Sequence, residues 1–265
     1  MTDVNAPIVV LERVRPTSAT PTASRMPVIK TIAYTMDISA RFLAKNLIGQ
    51  GTIAAADALI DGRYWRRILQ GGNARLSVVG RDVFARHPGR AFVIMSNHSS
   101  LLDIPALMGA VPGSVRMVTK EELTKVPLWG PALLASGFIP IDRKNREKAI
   151  AQLKQARPLL EQGVHVWVSP EGTRSDDGRL GPFKKGGFHT ALGLGAPILP
   201  AWIEGAHGII PPRQWVVRHD GDIQVRFGEP IETAGRDKED LTDLMREVRA
   251  SILALSGRAA EVDAG

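Results

Sequence analysis

The sequence predicts an α/β fold: a mostly parallel central sheet covered by helices, with an N-terminal amphipathic helical pair. Two observations carry this. Short β-branched or apolar runs recur at 76–79, 91–95, 115–118, 137–141, 164–168, 198–203 and 223–227, with helical patterns between several of them. Such alternation is what a parallel sheet buried on both faces requires. Ahead of the first run, apolar residues from Met26 onward repeat at helical spacing.

Residues 1–25 read as a disordered leader. They carry Pro16, Pro21 and a Thr/Ser/Ala-rich stretch, and no apolar core of a signal peptide. Ile29, Ile32, Ala33, Met36, Ala40, Leu43 and Leu47 then share one helical face, with Lys30, Asp37, Arg41 and Lys45 on the other. A glycine break at 49–51 follows. A second, less regular helix is expected over 53–69, with Tyr64, Trp65, Arg66 and Arg67 near its end, stopped by Gly71-Gly72-Asn73. Residues 26–72 thus form the helical pair, a candidate membrane-surface anchor or a packing element. Residues 73–257 form the α/β domain, and 258–265 a flexible tail. Within the domain the clearest helix covers 146–162, disturbed by Pro158; others are expected near 187–194 and over 238–255.

A chain of 265 residues suits one sizeable α/β domain, and 44% hydrophobic against 23% charged residues is a globular composition. With no cysteine, disulfides, thiolate metal sites and a cysteine nucleophile are excluded. The net charge of +7 suits an anionic lipid, a phosphorylated substrate or a nucleic acid. The basic residues are scattered and form no nucleic-acid motif, so no nucleic-acid partner is expected. No apolar run reaches the roughly 18–20 residues a spanning helix needs. Membrane work would therefore be done from the surface.

The sharpest chemical feature is Ser96-Asn97-His98-Ser99-Ser100-Leu101-Leu102-Asp103, directly after the run at 91–95. On a strand-to-helix turn, the Asp103 carboxylate can reach one ring nitrogen of His98. That fixes the tautomer and frees the other nitrogen to take a proton. This is the base and orienter of a hydrolytic triad without a protein nucleophile. The bland alternative is a helix cap and its first turn. Ser99 or Ser100 is poorly placed to be deprotonated by its neighbour, and no Gly-x-Ser-x-Gly elbow occurs.

A second feature, Ser169-Pro170-Glu171-Gly172-Thr173-Arg174-Ser175, ends the run at 164–168. Gly172 permits close backbone approach and Arg174 can bind phosphate with two donors. The alternative is an ordinary turn with a surface ion pair. A third, Gly137-Phe138-Ile139-Pro140-Ile141-Asp142-Arg143, puts Arg143 at a strand's carboxyl end, where open parallel sheets bind ligands. The alternative there is a solvent-facing charge. Ala196-Pro197-Ile198-Leu199-Pro200 reads as a strand entry. Lys120-Glu121-Glu122-Leu123 and Phe183-Lys184-Lys185-Gly186 add basic residues that serve either the site or plain solvated surface.

In combination and order, these blocks resemble the glycerolipid acyltransferase family typified by bacterial 1-acylglycerol-3-phosphate acyltransferase. The resemblance runs roughly from Trp65 to Gly205. It rests on the motifs at 97–103, 120–123, 137–143, 170–175 and 197–200. Pro140 and Ser169 depart from the family pattern, at strand ends rather than at the charged residues.

The resemblance implies that His98 is the general base and Asp103 its orienter. It implies that Arg143, Glu171, Gly172, Thr173 and Arg174, with Lys120 and Lys184, bind the acceptor, and that 197–200 shapes the donor side. It further implies transfer of a fatty acyl group from coenzyme A or acyl carrier protein to a lysophospholipid hydroxyl, that of 1-acylglycerol-3-phosphate above all, in phospholipid synthesis. No cofactor or metal is expected, and the protein should be peripheral on the cytoplasmic face of an anionic membrane. The rivals are the same chemistry on an aminolipid or glycolipid precursor, an idle lipid-phosphate-binding protein, and a thioesterase.

Overall fold

A computed structural model describes residues 9–10, 25–60, 64–72, 74–214, 216–218 and 220–257. Helix α1 (Met26–Leu47), α2 (Ile53–Leu59) and α3 (Trp65–Gly71) precede the sheet. The strands are β1 (Val9–Val10), β2 (Ala74–Val79), β3 (Val93–Ser96), β4 (Val115–Lys120), β5 (Ile139–Ile141), β6 (His165–Val168), β7 (Ile198–Glu204) and β8 (Gly221–Phe227). Between and after them lie α4 (Val83–Arg86), α5 (Asp103–Ala110), α6 (Trp129–Ala135), α7 (Arg146–Leu153), α8 (Ala156–Glu161), α9 (Lys185–Leu194), α10 (Ala206–Ile209) and α11 (Leu241–Ser256).

The sheet order is β1-β2-β8-β7-β3-β6-β4-β5. From β7 to β5 all neighbours run parallel, whereas β8 is antiparallel to β7 and β2 follows β8. One rim therefore collects the carboxyl ends of β7, β3, β6, β4 and β5, and every motif singled out at a strand end opens there.

Burial explains the patterns that betrayed the strands. β3 and β6 are buried at every position and read as unbroken apolar runs. β2 and β8 alternate buried with more exposed positions. On one face Ile94, Trp167, Leu199 and Val225 pack under α3 and α5. On the other, Val93, Val166 and Trp202 pack under α9, which contributes Phe188, and α11. Each such fully buried side chain contributes roughly 1.5–3 kcal/mol.

The N-terminal region differs from a simple pair. The helix expected over 53–69 is α2 and α3, and residues 61–63 between them are outside the described set. Trp65, Ile68 and Leu69 of α3 belong to the main core. Gly109 of α5 lets Trp65 approach: a Cβ there would fall 2.7 Å from the indole. The boundary expected at 72/73 thus cuts between elements that share one core. α2 is fastened by the fully buried Arg116 of β4, which donates to Asp57 at 2.8 Å and to the Ile53, Val115 and Ser136 carbonyls. A buried cation is tolerable only when paired and hydrogen-bonded in this way.

Inside the expected leader, Val9 and Val10 pair antiparallel with Val78 and Ser77. Residues 1–8 and 11–24 of that stretch and the tail at 258–265 lie outside the described residues. The helix expected over 146–162 is two helices. Pro158 sits in the first turn of α8, where its missing N–H is harmless, and its ring cannot coexist with a helical carbonyl at Lys154. Among the described residues, no helix is long and apolar enough to cross a membrane.

Candidate active site

β3 ends at Ser96, and the chain must leave the sheet without losing its place. Asn97 manages this with its side chain. The amide accepts the Ile203 N–H at 2.8 Å and donates to the Ile203 carbonyl at 2.9 Å, so one side chain satisfies both backbone groups of a residue on β7. The Ser100 hydroxyl donates to the Ile210 carbonyl at 2.8 Å and accepts the Leu102 N–H at 3.1 Å, which closes the turn into α5.

The turn brings His98 Nδ1 to 2.8 Å from Asp103 Oδ2. That oxygen also accepts the N–H groups of Ser99 at 2.7 Å and Ser100 at 2.8 Å. Asp103 is fully buried, and its Oδ1 has no hydrogen-bond partner among the described residues. With Nδ1–H given to the carboxylate, Nε2 is the nitrogen left to take a proton. The Trp167 and imidazole rings meet at right angles, centroids 5.2 Å apart, and the indole N–H donates to the Ser96 hydroxyl. The His98 side chain keeps 17% of its surface exposed, so the ring is held in place with part of it open.

The loop after β6 grips the same turn. Glu171 Oε1 accepts the His98 N–H at 3.0 Å, and the Ser175 N–H donates to the His98 carbonyl at 2.7 Å. Glu171 Oε2 accepts the Gly181 N–H at 2.8 Å. Burial pushes the Glu171 carboxyl above its usual range, partly offset by those two backbone donors. Gly172 has φ of 69°, a left-handed conformation suited to glycine, and the Lys184 stem lies across it. Arg143, just past β5, donates to the Gly172 carbonyl. Arg174 is half-buried and has no hydrogen bond or ion pair to any described residue.

The arrangement pairs an imidazole with a buried carboxylate beside a basic loop. The 1-acyl-sn-glycerol-3-phosphate acyltransferase alpha of Mus musculus is 36% identical over 182 residues, 68% of this chain. Residues 75–204 match the family model described as Acyltransferase. That segment is an acyltransferase-family domain. The chain spans 63% of the length of that mouse acyltransferase. A chloroplastic 1-acyl-sn-glycerol-3-phosphate acyltransferase of Brassica napus is 37% identical over 139 residues, 52% of this chain and 40% of that protein. The crystal structure of the 1-acyl-sn-glycerophosphate acyltransferase PlsC from Thermotoga maritima superposes with a TM-score of 0.71 at 25% identity. It covers 88% of this chain and 93% of that one.

In this acyltransferase-family domain, direct contacts join His98, Asp103, Glu171, Gly172, Arg143 and Lys184. Thr173 and Arg174 follow in the same loop. Lys120 is exposed at the end of β4 and shares the rim without touching the others; Lys148 is what ties Glu121 to Asp142, at 2.7 Å and 3.6 Å. The 197–200 block differs from expectation. Ile198 and Leu199 are core residues, and Pro200 lies level with Met95, before β3 ends. It supports β3, the strand that leads to His98. Pro140 costs no ladder bond of a central strand, since β5 is an edge. Trp167 and the amide clamp of Asn97 carried no sequence signal, because each acts through a partner far along the chain.

Proposed function

We propose that this acyltransferase moves a fatty acyl group from a thioester of coenzyme A or acyl carrier protein to the free hydroxyl of 1-acylglycerol-3-phosphate. The observation that carries this is the His98–Asp103 pair at the carboxyl rim of a parallel sheet, in a family whose similar relatives are named for that acceptor. His98 Nε2 takes the acceptor's hydroxyl proton. The oxygen attacks the thioester carbonyl, the C–S bond breaks, and the proton returns to the leaving thiolate. The buried Asp103 charge favours the imidazolium that forms in between.

Arg174 is the candidate for the acceptor phosphate, because it is a half-buried cation on the rim with no partner among the described residues. The guanidinium fork fits phosphate oxygens in pairs, and a charged hydrogen bond is worth about 1.5–3 kcal/mol. Arg174→Lys should therefore lower kcat/KM for the phosphorylated acceptor by roughly one to two decades and leave a phosphate-free acceptor nearly unaffected. Arg143→Lys should hurt both acceptors, because its guanidinium also holds the Gly172 carbonyl. Equal loss on both acceptors with Arg174→Lys would make that arginine structural and favour an aminolipid or glycolipid acceptor.

The protein is further proposed to lie on the cytoplasmic face of an anionic membrane. Ile29 is 55% and Ile32 43% exposed on α1, and Leu47, Ile48, Leu128 and Leu134 are exposed as well. Removing the whole helical region would tear out Trp65 and Leu69, so point changes are the proper test. Ile29→Ser with Ile32→Ser should weaken sedimentation with anionic vesicles roughly tenfold or more, by the apolar surface lost. Unchanged sedimentation would exclude this face as the anchor.

A further inference from the structure

The backbone of His98 is fastened by a chain of bonds that begins outside the matched segment 75–204, in α11. The Arg249 guanidinium donates to the Gly181 carbonyl at 2.7 Å and to the Leu180 carbonyl at 3.3 Å, and lies 5.4 Å over the Phe183 ring. The peptide between Leu180 and Gly181 thus has its carbonyl turned to a cation. Its N–H is turned to an anion, Glu171 Oε2, at 2.8 Å. The other oxygen of Glu171 accepts the His98 N–H at 3.0 Å. Glu171 is only 5% exposed, and both its oxygens are engaged by protein backbone. A Cβ on residue 181 would stand 3.0 Å from Oε2, so a glycine is what lets the loop come this close.

We propose that Arg249 and Glu171 are positioning residues, which set the backbone of the base from the C-terminal helix, and that Glu171 fastens His98 rather than binding the acceptor. The inference rests on the reading of His98 as general base. Oriented charges on both sides of one peptide leave it a single favourable orientation, and Glu171 passes that constraint to His98. Rates of positioned reactions respond steeply to small displacements of the reacting group.

Arg249→Met keeps the stem over Phe183 and removes the donors. Two readouts are taken on the full chain: amide hydrogen exchange at Gly181 and His98, and steady-state acyl transfer. Exchange should quicken at both amides. The kcat should fall roughly tenfold while both KM values stay within about twofold. Arg249→Lys, which restores one donor, should recover part of the kcat. Gly181→Ala, which presses on Glu171 and leaves Arg249 intact, should repeat the pattern, and it serves alone if Arg249→Met does not fold. Faster exchange at Gly181 with His98 and kcat unchanged overturns the proposal, as does a change confined to KM. If the wild type transfers no acyl group, the acyl-transfer reading falls, and the coupling of the two exchange rates by itself decides whether the relay exists.

Discussion

Replacing His98 by alanine should leave a folded protein whose acyl transfer is about 10² to 10⁴ slower, the usual range for a lost general base. The fold should survive because the bonds that fix position 98 are made by its backbone. Its N–H goes to Glu171 and its carbonyl to Ser175, and neither needs the ring. Asp103 keeps two of its three donors, the N–H groups of Ser99 and Ser100. The ring loses only its contact with Trp167 and the site its proton acceptor. The fall should appear in kcat, since the proton moves only on the way to the transition state. Turnover near the wild-type value in a pure sample would end the mechanism.

Asp103→Asn is expected to be nearly as severe, by about 10³ in kcat, and for a reason the geometry specifies. Two backbone N–H groups point at the Oδ2 position, so an amide must put its oxygen there. The imidazole then keeps its tautomer, and the loss comes from the missing negative charge beside the imidazolium. The amide nitrogen falls where Oδ1 now lies, fully buried with no partner among the described residues. An unsatisfied buried donor costs about 1–3 kcal/mol, so the melting temperature should drop as well. Because base and orienter act as one unit, the double variant His98→Ala/Asp103→Asn should be little slower than His98→Ala alone. Losses that multiply across the two would mean that Asp103 acts on something other than His98.

What the sequence disclosed, and what it hid, follows from how far apart the interacting residues lie. The strands at 91–95 and 164–168 were legible because both faces of β3 and β6 are buried, which leaves an unbroken apolar run. The His98–Asp103 pair was legible because a five-residue turn needs no tertiary information. The reversal of β8 and β2 within the sheet was not legible, because apolar runs do not encode direction. Nor was the division of the 53–69 segment, where α2 answers to a buried arginine on β4 and α3 to a glycine on α5. In the site, the bonds of Glu171 to the backbone amides at 98 and 181 were not legible, because a backbone amide leaves no mark in the sequence. Asn97 looked like part of a motif with no task of its own, since its partner Ile203 lies on another strand.

In the proposed direct transfer His98 deprotonates the acceptor, and no acyl group is parked on the protein. Thiol release from a long-chain acyl thioester, followed with and without 1-acylglycerol-3-phosphate, tests it most directly. Direct transfer gives no burst and almost no release without the acceptor. With it, release should match one diacylated phosphate product per thiol, and His98→Ala should slow it by about 10² to 10⁴. A burst of thiol, or steady release as free fatty acid in the absence of acceptor, would rule out direct transfer and make the chain a hydrolase or a covalent catalyst instead.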